Sequence, residues 1–528
     1  MNLDFVNHGG TSLANEVRNV YAEGQTDYSI EPLLSVDAHG IPIGRIESCD
    51  SVIFCCRRGE REIELTEAFT DPLFSHFQRP ELRDLYFVIL TLYHEKFKDL
   101  PVAFAPSKIH QTLAETISKA NMSQLHCAES EKFSHVTFFF NGGNNQAFPG
   151  EVDLRIPSPK GIPFDQIPQL SLEQVADQVV AGIGKKYNFI VTNFANGDVI
   201  GHTANREAKI KCAEFVDSAL EKVVNSALAQ DYVVLVTADH GNLEELYTAE
   251  GKPHVAHTTN LVPLILLDPQ SEFPAPLKSG RLADIAPTIL KFMDIGQPQS
   301  MEGECLVELP QKVSSRRVLL VILDGWGIGA QDQTNPIFIA NTPFWDYLLE
   351  KYPHALLQAS GEAVGLQGGK AGNSEAGHLN IGAGRVVLQD DVRLDQSMND
   401  GSFNKNEIFL QAMNHVKENK SNLHLIALLT EKSSHGSIDY PLALLRVAKS
   451  QGVENVCIHV IFDGRSTEPG SAPSLLEKFE KSIGEIGIGK IVSGVGRGIA
   501  LDRDGNFIKI KKTYDALVLG EGRKYYGG

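Results

Sequence analysis

The chain has 528 residues, 42% of them hydrophobic, and a formal charge of −18. That length allows about two to four domains, each able to bury a core. So acidic a balance argues against broad binding to nucleic acid or anionic membranes, while leaving room for a local basic pocket. Seven cysteines without a CxxC pair point to a reduced, cytoplasmic protein with no disulfide framework. The opening MNLDFVNHGG lacks the basic and apolar regions of a signal peptide. No run approaches the ~18 apolar residues of a membrane span.

In chain order, residues 13–22 read as a short helix. Residues 33–45 read as a strand, a turn at Asp37–Gly40 and a second strand. Val52–Cys56 is a short buried strand, followed by a basic turn carrying Arg57, Arg58 and Arg61. Leu85–Tyr93 is a strand. Gln111–Ala120 is helical, and Val136–Phe140 reads as a strand. Ser171 with Gln174 resembles a capping box that opens a helix running to about Gly184. Phe189–Thr192, Val233–Thr237 and Pro263–Leu267 are strands, with a long helix over Asn205–Leu228 between the first two. This alternation predicts an α/β domain with a largely parallel sheet. Residues 296–316 are irregular and read as a linker. Val318–Leu323 is almost purely apolar, as buried parallel strands are. Thr342-Pro343 opens a helix. From about 392 a second α/β unit follows: strands at Leu423–Leu429 and Val456–Phe462, and helices at Leu442–Lys449 and near Ser474–Ile483.

The chemistry gathers where strands end. Asp324 follows the VLLVIL strand, Asp239 and His240 follow VVLVT, and Asp198 and His202 follow FIVT. His257 stands just before PLILL. In open α/β sheets ligands collect outside the carboxyl ends of strands, and carboxylates with imidazoles are the ligand set of divalent metals. Asp198 and His202 are four apart, so both face one way if a helix begins there. Ser374 lies in the glycine-rich run Ala371–Arg385, beside Gly368, Gly369, Gly372, Gly377 and Gly382. Such a run lets the backbone approach a ligand closely and take up unusual φ values. A serine there is a candidate nucleophile if metals lower the cost of ionising its hydroxyl.

Several of these segments together resemble the cofactor-independent phosphoglycerate mutases of the alkaline phosphatase superfamily. They are Asp324-Gly325-Trp326-Gly327, Gly372-Asn373-Ser374-Glu375, Asn193-Phe194-Ala195-Asn196, Thr237-Ala238-Asp239-His240-Gly241-Asn242 and His257-Thr258-Thr259-Asn260. The resemblance implies an isomerase that exchanges 3-phosphoglycerate and 2-phosphoglycerate through a phosphoserine, without bisphosphoglycerate. It implies Ser374 as the phosphorylated serine and Lys132 as a stabiliser of the transferring group. One metal would fall to Asp324, Ser374, Asp239 and His240, the other to Asp198, His202 and His257. Manganese is implied, with magnesium or zinc in other relatives. The glycerate would be held by His435, Asp463, Arg465, Arg497, Arg503, Arg58 and Arg61. Several guanidinium forks suit a small molecule with a carboxylate and a phosphate. The relatives imply a monomer with a small-molecule substrate and no nucleic-acid or membrane partner.

The motif order is rotated relative to the family, where DGWG opens the chain and ADHGN and HTTN close it. The chain therefore resembles a circular permutant with old ends joined near 300–316. A metal-binding phosphatase-like domain is expected over 107–391, and a substrate-binding phosphotransferase domain over 1–106 with 392–528. Ser466 stands where the family has aspartate, Cys56 where it has asparagine, and Lys432–Ser434 replace a glycine-containing segment. Serine is a poor general base, so a metal-dependent phosphomonoesterase or another phosphosugar mutase is a second expectation. A non-catalytic binding protein is a third.

Overall fold

The computed structural model describes residues 7–57, 59–106, 109–270, 276–308, 314–431, 433 and 435–527. Arg58, Lys432 and Ser434 lie outside the described residues, as do positions 309–313 of the expected join. The chain forms two compact units, Met1–Pro106 with Arg393–Gly528, and Ser107–Val392.

The unit Ser107–Val392 is built on an eight-stranded sheet. Across it run Gly280–Arg281, His354–Gln358, Val262–Leu267, Tyr232–Thr237, Arg317–Leu323, Phe189–Phe194, Gln124–Glu129 and Glu151–Ile156. All neighbours pair in parallel except Val262–Leu267, which runs against both of its neighbours. The inner strands read as unbroken apolar runs because helices cover both faces. The helix Arg206–Ala229 starts where Asn205 Oδ1 accepts the Ala208 amide at 3.2 Å.

The other unit has its own eight-stranded sheet. Its order is Arg523–Tyr526, Leu33–Val36, Lys490–Gly496, Val456–Phe462, Leu423–Leu429, Ser51–Phe54, Tyr86–Thr91 and Val102–Phe104. Only the Leu33–Val36 pairing with Lys490–Gly496 is antiparallel. Alternate residues feed two cores: Ile53, Leu425 and Val460 on one face, Val52, Ile426 and Ile461 on the other.

Five expectations are corrected. Val136–Phe140 is not a strand; His135–Phe139 forms a π-helical turn, and the strands on either side are Gln124–Glu129 and Glu151–Ile156. Tertiary packing overrode the β-propensity of VTFFF. Residues 41–45 make only an isolated bridge, Val36 to Pro42. Gly59, Glu60 and Arg61, expected in a basic turn, instead begin the helix Gly59–Thr70. Ser171 makes no side-chain cap; its Oγ donates to the Pro157 carbonyl at 2.8 Å. The irregular 296–316 stretch is also no loose tether over its described part. Glu304 N donates to Asp284 Oδ1 at 2.9 Å and Leu306 N to Thr288 Oγ at 3.0 Å, so it is stitched into Ser107–Val392.

Candidate functional site

Strand register levels the site. Leu323 lies opposite Phe194, and Ile322 opposite Thr237. Asp324, Asp239-His240 and the Asn196–Gly201 helix bearing Asp198 therefore leave the sheet side by side. His202 is the C-cap of that helix, on the same face as Asp198. Backbones meet closely here: a β-carbon on Gly325, whose φ is 70°, would stand 2.7 Å from Asp198 backbone atoms.

Asn373 starts the helix Ser374–Ala383 by accepting the Ala376 amide at 2.9 Å. Ser374 is its first residue, where the unpaired N–H groups and the helix dipole favour negative charge. The glycines have a different reason from the one expected. A β-carbon would meet the Asp239 carbonyl at 2.7 Å from Gly377, that of Phe140 at 2.0 Å from Gly382, and that of Ala359 at 2.1 Å from Gly372. These three glycines admit neighbouring backbone. Of the five, Gly369 alone takes a positive φ, 75°.

Lys132 ties the cluster together. Its Nζ donates to Ser374 Oγ at 2.6 Å, Asp198 Oδ2 at 2.7 Å and Asp324 Oδ1 at 2.8 Å. His240 Nε2 lies 2.9 Å from Ser374 Oγ, 3.5 Å from Asp239 Oδ2 and 3.6 Å from Asp324 Oδ1. On the other side His202 and His257 each donate through Nδ1 to a carbonyl, Val255 at 2.9 Å and Gly372 at 2.8 Å. That fixes their tautomers and turns both Nε2 atoms inward. The two Nε2 atoms stand 3.1 Å apart, at 3.2 Å and 3.0 Å from Asp198 Oδ1. Three acceptor atoms converging in this way suit a cation.

The electrostatics agree. Burial alone would lower the Lys132 ammonium, but Asp324, Asp198 and Asp239 outweigh it and hold it above its ordinary value. Burial works against the Asp198 and Asp239 carboxylates, yet both are held low. Lys132 and the imidazoles of His202 and His257 do this for Asp198, and His240 and His378 for Asp239. Asp324 is pushed up, first by burial and then by Asp239. One ammonium does not balance three buried carboxylates, and Asp239 Oδ2 has no hydrogen-bond partner among the described residues. The donor set therefore fits divalent metals. Asp239, His240 and Asp324 can share one ion, and Asp198, His240 and His257 another. His202 stands beside the second group, more exposed. A further group, His126, Glu151 and Asp153, is structural: Val136 O and Gln124 Oε1 engage both His126 nitrogens, at 2.7 Å and 3.2 Å.

The expected glycerate residues lie in the other unit. Asp463 and Arg497 are buried and paired at 2.5 Å. Arg465 is exposed and lines a cavity of about 710 Å3 with Ser466 and Thr430. Arg61 is buried and donates to the Leu501 carbonyl at 3.0 Å, a strut rather than an open fork. Arg503 is exposed. His435 is half-buried, with Nδ1 3.3 Å from Glu62 Oε1.

Three supporting residues were absent from the expected set. Asn193 donates to Asp324 Oδ2 at 2.6 Å, and Asn242 to Asp198 Oδ1 at 2.9 Å. His378 Nδ1 sits 2.9 Å from the Ser374 carbonyl and 3.3 Å from Asp239 Oδ2. Its position four residues after Ser374 was the available signal.

A model of the metalloenzyme superfamily matches residues 16–297, and one described as the BPG-independent PGAM N-terminus matches residues 394–526. A protein of Moorella thermoacetica named 2,3-bisphosphoglycerate-independent phosphoglycerate mutase is 43% identical over 57% of this chain and 58% of its own length. One of the same name from Flavobacterium johnsoniae is 43% identical over 57% of this chain and 60% of its own. The matches thus span less than two thirds of these relatives. A solved structure of Leishmania mexicana phosphoglycerate mutase at low cobalt concentration is 26% identical, covering 52% of this chain and 53% of that one, with a TM-score of 0.40.

Proposed function

This chain belongs to the metalloenzyme superfamily, and from that premise we propose that it interconverts 3-phosphoglycerate and 2-phosphoglycerate through a phosphoserine at Ser374, without bisphosphoglycerate. The observation carrying this reading is Ser374 Oγ at a helix N-terminus, 2.6 Å from Lys132 Nζ and 2.9 Å from His240 Nε2. The relatives that carry the mutase name support the substrate.

Asp324, Asp239, His240 and Ser374 would hold one metal, and Asp198, His202 and His257 the other; we assign manganese to both. Bound divalent cations offset phosphoryl oxyanion charge and lower the cost of ionising a hydroxyl. Ser374 Oγ attacks phosphorus as the P–O bond to the glycerate oxygen breaks, the serine proton ends on that departing oxygen, and Lys132 Nζ stabilises the charge shared between Oγ and the transferring group. The first-turn amides add to that field. The group then passes to the other glycerate hydroxyl and Ser374 is restored. Arg58, Arg61, Arg465, Arg497 and Arg503, with His435 and Asp463, are the residues proposed to hold the glycerate.

We also propose that the chain order is permuted and that Ser107–Val392 carries the phosphatase-like activity. The permutation is supported by the match of a model described as an N-terminus to residues 394–526, after the metalloenzyme match at 16–297. Seven unpaired cysteines support a cytoplasmic setting, and we assign a monomer. Mass spectrometry of acid-quenched protein, incubated with 3-phosphoglycerate and Mn2+, tests the chemistry. Phosphate on the Ser374 peptide is expected; phosphate on another residue, or on none, contradicts it.

A further inference from the structure

Apart from the metal centre, the unit of Met1–Pro106 with Arg393–Gly528 contains a second acid–base pair. The helix Gly59–Thr70 begins just past the carboxyl end of Ser51–Phe54 and brings in Glu62, which is 0% exposed. Glu62 Oε1 lies 3.3 Å from His435 Nδ1, while Oε2 has no hydrogen-bond partner among the described residues. A carboxylate removed from water and left half-paired is unfavourable, and an orphan of this kind calls for an explanation. His435 is pinned through its backbone: its carbonyl accepts the Arg57 amide at 2.9 Å, and its amide donates to Ser433 Oγ at 3.2 Å. Its Nδ1 thus faces Glu62, and its Nε2 makes no hydrogen bond among the described residues. Among the described residues, Cys56 and Tyr93 also feel the Glu62 charge. Each is raised by burial and further by the Glu62 charge. Arg497, which acts on Cys56 in the opposite sense, is already paired with Asp463. His435 is therefore the imidazole that Glu62 holds in this cluster.

We propose that Glu62 and His435 form a proton-shuttling dyad for the glycerate hydroxyls. Glu62 is the positioning residue. It accepts the Nδ1 proton, fixes the tautomer and leaves the Nε2 lone pair open. His435 Nε2 takes the proton of one glycerate hydroxyl, breaking O–H and forming N–H, and the resulting imidazolium is balanced by Glu62. The same proton is then given to the other glycerate oxygen, so His435 ends neutral and no co-reactant is consumed. The dyad supplies a base where Ser466 cannot. It rests on the phosphoglycerate reading above.

Two measurements on the full chain decide it. Nitrogen NMR of histidine-labelled protein without substrate should show the His435 proton on Nδ1; a proton on Nε2 overturns the dyad. In the kinetic test Glu62→Gln should lower kcat roughly tenfold or more while KM for 3-phosphoglycerate stays within about twofold. The acid limb of kcat/KM should move down by about one pH unit, because the carboxylate no longer favours the imidazolium. Glu62→Asp should recover part of the rate. Unchanged kcat per folded Glu62→Gln molecule, or a loss without any shift of the acid limb, means a structural carboxylate and overturns the proposal. If the wild-type protein does not turn over phosphoglycerate, the substrate reading falls and the tautomer measurement alone decides the dyad.

Discussion

Lys132 is the residue on which the metal centre balances when no cation is bound. Its ammonium lies within 2.8 Å of two buried carboxylates and the Ser374 hydroxyl. Replacing Lys132 with methionine strands Asp198, Asp239 and Asp324, and losing one partner of a buried ion pair costs about 3–5 kcal/mol. Chelator-treated Lys132→Met protein should melt well below chelator-treated wild type, and Mn2+ should raise the variant's melting temperature more than the wild type's. Equal melting of the two metal-free proteins would count against this balance. Asp239→Asn should weaken Mn2+ binding roughly tenfold or more by calorimetry, because it removes a ligand charge the site needs; unchanged affinity would take Asp239 out of the centre. The proposed ligands were legible in the sequence for a physical reason: Asp324, Asp239 and Asp198 each follow an apolar strand almost directly, and strand ends are where ligands gather. Glu62 was not legible, because Arg57–Arg61 carries the composition of a turn while residues from Gly59 onward fold as a helix.

Among the elements, the helix Ser374–Ala383 and the strands around His424 make separate demands. Asn373→Ala removes the cap that sets Ser374 at the helix start, and should cost about 1 kcal/mol in urea unfolding; no loss would mean the cap is dispensable. Across the sheet containing Leu423–Leu429 runs a buried chain of polar groups. Asp50 Oδ2 is 3.0 Å from His424 Nε2, His424 Nδ1 is 3.0 Å from His459 Nε2, and His459 Nδ1 is 2.7 Å from Ser493 Oγ. Asp50 accepts from His424 Nε2, and the His424 and His459 rings share the next hydrogen bond. Burial, then the neighbouring His424, depresses His459 well below its ordinary value. The unfolded chain therefore binds more protons than the folded one once pH falls below about 6.5, and stability declines from there. Between about pH 7.5 and about pH 5 the wild-type urea midpoint should fall more than that of His459→Gln; equal declines would contradict the depressed histidine. Periodicity could not reveal this chain, since His424 and His459 sit inside otherwise apolar runs that read as strands. The VTFFF segment misled for the opposite reason: its β-propensity is high, yet it packs as a π-helical turn.

At the scale of the molecule, alternation of strands and helices made the α/β class legible, and the rotated order of motifs suggested which stretches belong together. The structure divides at Pro106/Ser107 and Val392/Arg393. The irregular 296–316 stretch was misleading as a linker, because its described part is hydrogen-bonded to Asp284 and Thr288 within one unit. If the order is permuted, a chain rearranged to begin near residue 314, run to 528 and continue from residue 1 should fold and bind Mn2+ with affinity unchanged within about threefold, since site chemistry depends on packing rather than chain order. Failure of that chain to fold would argue that the present order is required. The central claim is phosphoryl transfer through Ser374, and its most direct test is phosphorus NMR of 3-phosphoglycerate with the protein and Mn2+, without bisphosphoglycerate. A growing 2-phosphoglycerate resonance that Ser374→Ala abolishes is the predicted result. Inorganic phosphate as the sole product would mean a phosphomonoesterase, and an unchanged spectrum from metal-loaded protein would contradict the proposed activity outright.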